Sequence, residues 1–187
     1  MKLMSDDYSI RGIREEDLKM LLSWRNSERI RSVMLTDHEI TWEEHYNWFK
    51  RNEHNEPPRN LIFEYKGTPI GYIGYTEYDI EQKTCSPGCY LGDIEMAPID
   101  AGMILFITTM DYAFDALQMQ TLKTEVFKKN RKAMKIDKLL GFKIVGEKVV
   151  TKDKVLEICY NMELLAADWE TKKFTFYEDT DDKNREV

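Results

Sequence analysis

The stretch RNLIFEYKGTPIGYIGYTEYDI, residues 59–80, constrains the fold more than any other part of the chain. Two strand-length blocks flank KGTP, where Gly67 can take positive φ and Pro69 opens the return strand. A lone hairpin is marginal in water, so this one needs further strands or a helix packed on it. The remaining sequence offers both.

Upstream, YSIRGI alternates and reads as a first strand, ended by the acidic start REEDL. Leu18, Leu21, Leu22 and Arg25 then follow helical spacing, which predicts a helix over about 15–26. TWEE at Thr41–Glu44 has the pattern of a capping box and opens a second helix carrying Trp42, His45, Tyr46, Trp48 and Phe49. Downstream, PGCYLGDIEM reads as a strand ending near Gly92. Met103, Phe106, Ile107, Met110, Phe114 and Leu117 share one stripe, so residues 103–117 form a helix with a buried face. LKTEVF is a strand, RKAMKIDKLL a helix, and GFKIVGEKVV with KVLEICYNMEL a final pair of strands. The order β-α-α-β-β-β-α-β-α-β-β describes one mixed α/β domain around a single sheet.

With 187 residues the chain can bury one good core. Its net charge of −7 argues against duplex DNA as a partner. Part of the excess lies in YEDTDDKNREV, with five acids and two bases, which reads as a solvated, poorly ordered end. The division expected is a domain over 1–164 and an acidic extension over 165–187. No run reaches the roughly 18 apolar residues of a membrane span, and the N-terminus lacks the apolar core of a signal peptide. Cys85 and Cys89 have no second Cys or His pair near them, so no zinc site is expected. Three sparse cysteines fit reduced thiols in a cytoplasmic protein.

Four segments in this order, SIRGIREEDL, YLGDIEM…AGM, DYAFDALQMQTLKTEVFKKNRKAM and LLGFKIVGE, resemble the GNAT superfamily of N-acetyltransferases. The resemblance covers roughly Tyr8 to Leu164. It implies an α/β GNAT fold, a single, mostly antiparallel sheet with helices on both faces. A narrower match, SWRNSERIRSVMLTDHEITWEEHYNWF, is similar to nucleotide-sugar N-acetyltransferases of the pseudaminic-acid type, which acetylate a UDP-linked 4-amino-6-deoxy sugar. Ribosomal-protein and small-amine acetyltransferases share its W-R-N element.

The resemblance places the pyrophosphate of acetyl-CoA on the loop APIDAG, Ala97–Gly102, and on the start of the helix that follows. Main-chain N–H groups and the helix dipole suit a dianion there. Ala101, Gly102 and Met103 carry this role by position. Ala97 replaces the usual basic or amide residue, and Pro98 and Asp100 replace glycines. Pro98 has no N–H to donate. Asp100 either brings like charge to the phosphates or turns to solvent. Lys128, Lys129, Arg131 and Lys132 either compensate or form a solvated helix entrance, with Lys132 assigned to the cofactor. Asn130 matches a residue near the pantetheine arm and is equally a candidate helix cap. By the same resemblance Tyr90, Leu91 and Gly92 lie where a strand end presents N–H groups to the acetyl carbonyl, which stabilises a developing oxyanion.

In NRKAMKIDKLLGF, Asp137 stands where the family has a tyrosine that protonates the leaving thiolate. A carboxyl does this only with a strongly raised pKa, and beside Lys135 and Lys138 the expected reading is a lysine-paired surface carboxylate. Tyr160 and Tyr90 are the phenols left for the task. Candidate bases are His45, whose ordinary pKa is near 6.5, and Glu77. On the acceptor side Arg25 suits a phosphate or a carboxylate; the resemblance implies that Arg25 and His45 contact the nucleotide sugar and that Trp48, Met34 and Tyr90 wall its nucleobase and deoxysugar. The same aromatics also serve as core packing between two helices.

The leading expectation is therefore direct acetyl transfer from acetyl-CoA to an amino group of a nucleotide-linked amino sugar, in a ternary complex and without metal, by a chain that can form a homodimer. A polyamine or protein N-terminal acetyltransferase is the second reading. A catalytically degenerate binding or interaction domain is the third.

Overall fold

A computed structural model describes residues 6–32, 34, 38–152 and 155–183, except for the side chains at 152, 155 and 177–183. Seven strands form one sheet: β1 (Tyr8–Gly12), β2 (Asn60–Tyr65), β3 (Thr68–Asp79), β4 (Thr84–Leu91), β5 (Thr121–Phe127), β6 (Lys143–Lys152) and β7 (Val155–Leu165). Their order is β1-β2-β3-β4-β5-β7-β6. β4 and β5 pair in parallel, whereas β1–β2, β2–β3, β5–β7 and β6–β7 are antiparallel. The helices are α1 (Leu18–Asn26), α2 (Glu28–Arg31), α3 (Trp42–Asn52), α4 (Ala101–Asp111), α5 (Arg131–Leu140) and α6 (Ala166–Lys183).

Local chemistry accounts for several boundaries. Lys66 and Gly67 both take positive φ, +49° and +75°, and close the two-residue β2–β3 hairpin with Tyr65 opposite Thr68. Thr41 accepts from the Glu44 N–H at 3.2 Å while Glu44 accepts from the Thr41 N–H at 2.7 Å, so α3 opens on the expected capping box. Asn130 caps α5 by accepting from the Ala133 N–H, and Gly141 ends that helix at φ +102°.

The chain packs as two compact units, Met1–Thr76 with Gly88–Thr109 and Glu77–Pro87 with Met110–Val187. In the first, Leu61, Ile62 and Phe63 are successive residues of β2 and all at most 2 % exposed, so the sheet is covered on both faces. Leu18, Leu21, Phe49 and Leu105 belong to the same core. In the second, Leu122, Val126, Met162 and Leu164 of the strands are buried, as are Leu140, Phe142 and Trp169.

Three elements differ from expectation, the first being the short helix α2, Glu28–Arg31, in a stretch where no helix was expected. The predicted helix over 103–117 starts at Ala101 and is buried beyond the expected stripe, since Ile104, Leu105, Thr108 and Thr109 are buried like Ile107 and Met110 while Met103 and Phe106 are half-buried. It ends in a π turn, Tyr112–Ala116. The expected acidic extension begins with α6, and its Trp169 is fully buried, with Nε1 donating to the buried carboxylate of Asp111 at 2.8 Å. The helix continues to Lys183, through part of the stretch read as a poorly ordered end.

Candidate active site

In the first unit α3 turns one face toward β3. His45 stacks on Trp48 with ring centroids 5.1 Å apart, and Trp48 meets Tyr72 edge-on at 6.2 Å. Tyr72 in turn leans on Tyr90 of β4 at 5.2 Å. The series is imidazole, indole, phenol, phenol, all side by side. Gly74 makes the third member possible, because a Cβ there would overlap the Tyr72 phenol, whose O–H donates to Asn60 at 2.5 Å. Half-buried Arg25 of α1 is close enough to oppose the rise that burial imposes on the Tyr90 phenol.

His45 is only 7 % exposed, and burial holds its imidazole below the ordinary value despite a hydrogen bond to the Leu18 main chain. Its Nε2 is buried and has no hydrogen-bond partner among the described residues. A neutral imidazole hydrogen-bonded through one nitrogen offers the other as an acceptor.

At the end of β4, Gly92 lies beneath the Trp24 indole so closely that a Cβ would overlap the ring. Arg29 donates to the carbonyls of Leu91 and Gly92 at 2.7 and 2.9 Å. The Gly92 N–H bonds to Ile70 O at 2.8 Å on β3, so it is not free to meet an oxyanion. Strand alternation directs the Leu91 N–H to the opposite side. There the β5 ladder covers only Thr84 and Cys85. Of Tyr90, Leu91 and Gly92, the strand-end residues expected to present N–H groups, Gly92 is the one whose N–H the Ile70 carbonyl takes up.

The loop Ala97–Gly102 leads into α4. Asp100 is exposed, in keeping with the alternative that it turns to solvent, and no hydrogen bond from its own helix to its carboxylate occurs among the described residues. Its Oδ1 accepts from the Tyr8 hydroxyl of β1 at 2.7 Å. Ala101 is fully buried, and a Cβ on Gly102 would meet nothing closer than Leu91 at 3.9 Å. Intrachain packing therefore does not require glycine at 102, and its surroundings leave room for a ligand. Met103 is half-buried in the first turn, and Met34 is half-buried after α2. Two open depressions lie beside α1, of about 260 Å³ against Trp24 and Gly92 and about 540 Å³ against Leu22 and Trp42. His45, Trp48, Tyr72 and Tyr90 line neither.

The second unit carries Glu77, Asn130, Lys132 and Tyr160. Glu77 is exposed at φ +50° within β3, a left-handed conformation that a carboxylate side chain rarely adopts in a strand. Lys148, which pairs with Glu125 at 2.6 Å, also feels the Glu77 charge. In the basic run, Lys129 pairs with Glu157 and Lys128 lies 5.9 Å over the Tyr160 ring, while Arg131 and Lys132 are exposed.

The lysine pairing expected for Asp137 does not form. The carboxyl is half-buried, no salt bridge or side-chain hydrogen bond to it occurs among the described residues, and burial pushes it up to about 6. The lysines on either side project from neighbouring positions of α5, and adjacent residues on a helix do not face each other.

Residues 10–154 match the family model described as Acetyltransferase (GNAT) domain. This chain belongs to the GNAT acetyltransferases. Acetyltransferase PseH of Campylobacter jejuni is 32% identical over 137 residues, 72% of this chain and 82% of that protein. Solved GNAT-like structures share the fold at lower identity. The N-acetyltransferase of Staphylococcus aureus Mu50 superposes with TM-score 0.68 at 21% identity, covering 86% of this chain and 99% of its own. A spermidine N-acetyltransferase of Vibrio cholerae, solved with CoA and spermine, gives 0.74 at 16%, covering 88% and 99%. Beside Arg25, His45, Trp48 and Tyr90, which the sequence singled out, the structure brings Tyr72, Asn60, Arg29 and Tyr8, which it did not. Gly74, two residues along the same strand face, was the one local hint of Tyr72.

Proposed function

We propose that this GNAT enzyme transfers the acetyl group of acetyl-CoA to the amino group of a nucleotide-linked amino-deoxy sugar. The observation that carries the reading is the row His45, Trp48, Tyr72 and Tyr90 with the Arg25 guanidinium beside it. Flat aromatic faces suit a nucleobase and the apolar side of a deoxysugar, and a guanidinium suits the diphosphate. The similarity to Acetyltransferase PseH supports the same acceptor class.

In this reading the buried His45 Nε2 accepts a hydrogen bond from an acceptor hydroxyl or ammonium, and its depressed pKa keeps the ring neutral and able to take a proton. The free amine attacks the thioester carbonyl directly. The Leu91 N–H, on the open side of β4, donates to the oxygen that gains negative charge. Ala101, Gly102 and Met103 hold the pyrophosphate at the first turn of α4, and Asn130 and Lys132 are the further cofactor residues. Glu77 is the second base, and Tyr160 the phenol that would return a proton to the thiolate. Met34 completes the apolar wall of the acceptor site.

Steady-state acetylation with acetyl-CoA tests this directly, comparing a UDP-linked 4-amino-6-deoxy sugar with spermidine. The sugar is expected to turn over, and Arg25→Ala and Trp48→Ala to raise its KM at least about tenfold, the loss of one charge-assisted or stacking contact. Turnover of spermidine alone, unaffected by Arg25→Ala, rejects the nucleotide-sugar reading in favour of a polyamine acceptor. Glu77→Gln, His45→Gln and Tyr160→Phe assign the base and acid by their effects on the pH dependence of kcat.

A further inference from the structure

Asp100 immediately precedes α4, and its carbonyl accepts from the N–H groups of Met103 and Ile104 at 3.0 and 3.1 Å. It is therefore the N-cap residue of an eleven-residue helix. An aspartate in that place ordinarily turns its carboxylate onto the N–H two or three residues ahead, here Gly102 or Met103. This one does not. Its carboxylate lies on a phenol 92 residues away in sequence.

That phenol is firmly held. Tyr8 is 4 % exposed, stacked on Phe63 at 5.3 Å and 13°, and tilted against Tyr65 at 5.1 Å. Burial, then the bond to Asp100, pushes its hydroxyl well above the ordinary tyrosine value, so it stays a donor at any working pH. Meanwhile the N–H of Ala101 bonds to Pro98 O, and that of Met103 to Asp100 O. The Gly102 N–H has no acceptor among the described residues.

We propose that Tyr8 is a positioning residue for the cofactor: by holding Asp100 Oδ1, it keeps that carboxylate off the first turn of α4 and leaves the Gly102 N–H open to the pyrophosphate of acetyl-CoA. The inference rests on the reading of Ala97–Gly102 as the pyrophosphate loop. It explains how a loop with an acidic residue in place of glycine remains compatible with a dianion. Without the Tyr8 hydroxyl, the carboxylate is free to swing onto its own helix, where it takes the donor and sets like charge against the phosphates.

The test is isothermal titration with CoA on four variants of the full chain. Tyr8→Phe is expected to weaken CoA about tenfold or more, and Tyr8→Phe combined with Asp100→Ala to restore binding to the wild-type level. Asp100→Ala alone is expected to bind as tightly as wild type or tighter. If Tyr8→Phe binds normally, or if the double variant stays as weak as the single one, the latch is overturned and Tyr8 is only part of the β1 packing. Gly102→Val reports separately on the loop. It is expected to abolish binding, and if CoA still binds, the pyrophosphate reading itself fails whatever Tyr8 does.

Discussion

At position 137 a carboxyl group sits half-buried on α5 without a salt bridge among the described residues, and burial raises it to about 6. Its proton is thus held to a higher pH in the folded chain than in the unfolded one, where the value is near 4. The sign follows from that order. Stability from this group is complete below about pH 4 and is lost as the pH rises through 6, leaving a cost of about 1–3 kcal/mol at neutrality. Asp137→Asn should raise the urea midpoint at about pH 7 and leave it nearly unchanged at about pH 4. Equal shifts at both pH values would show that the carboxyl is not raised. Gly92 poses a steric counterpart, since any Cβ there collides with the Trp24 indole. Gly92→Ala is expected to cost about 1–3 kcal/mol by overpacking. The displaced indole should also shift tryptophan emission. An unchanged spectrum and thermal midpoint would mean that Trp24 is not held against β4.

Among the elements, α6 has the largest structural consequence. It buries Trp169 completely and pairs its indole N–H with the Asp111 carboxylate at the end of α4. Trp169→Ala removes a large core side chain and should cost about 3–5 kcal/mol in chemical denaturation. Trp169→Phe keeps an aromatic ring but removes the indole N–H that donates to the buried Asp111 carboxylate, for about 1–3 kcal/mol. A chain ended at Leu164 is expected to lose cooperative unfolding. A truncated chain that unfolds at the wild-type midpoint would make residues 165–187 the separable extension that their acidity suggests. Helix α3 shows the opposite balance. Its capping box, amphipathic spacing and start were all readable in TWEEHYNWF, because each depends on groups no more than a few residues apart. That Trp48 would meet Tyr72 and His45 would lack a partner for Nε2 depends on what packs against the helix, which the spacing does not specify.

At the scale of the whole molecule, β3 and β4 each pass from one packing unit to the other, so neither unit is a continuous stretch of chain. No described helix is long and apolar enough to cross a membrane. If acetyl-CoA binds only the native chain, about a hundredfold excess over its Kd should stabilise the protein by about 2.7 kcal/mol, read as a concentration-dependent rise in Tm. A Tm indifferent to acetyl-CoA would exclude specific binding to the folded state.

The amino-acid order alone was enough for the succession of the seven strands with α1, α3, α4 and α5, though not for α2 or α6, and for the β2–β3 hairpin turn, the caps of α3 and α5 and membership in the GNAT family. All of these follow from backbone preferences and side chains within about a turn of one another, or from motifs in a fixed order. The tertiary structure decided where Asp100, Asp111 and Asp137 spend their charge. Asp100 lies on Tyr8, Asp111 on Trp169, and Asp137 is half-buried with its pKa raised. A carboxylate's partner and its solvation depend on which distant segments close over it, 92 residues away for Asp100 and 58 for Asp111. No local pattern encodes that distance.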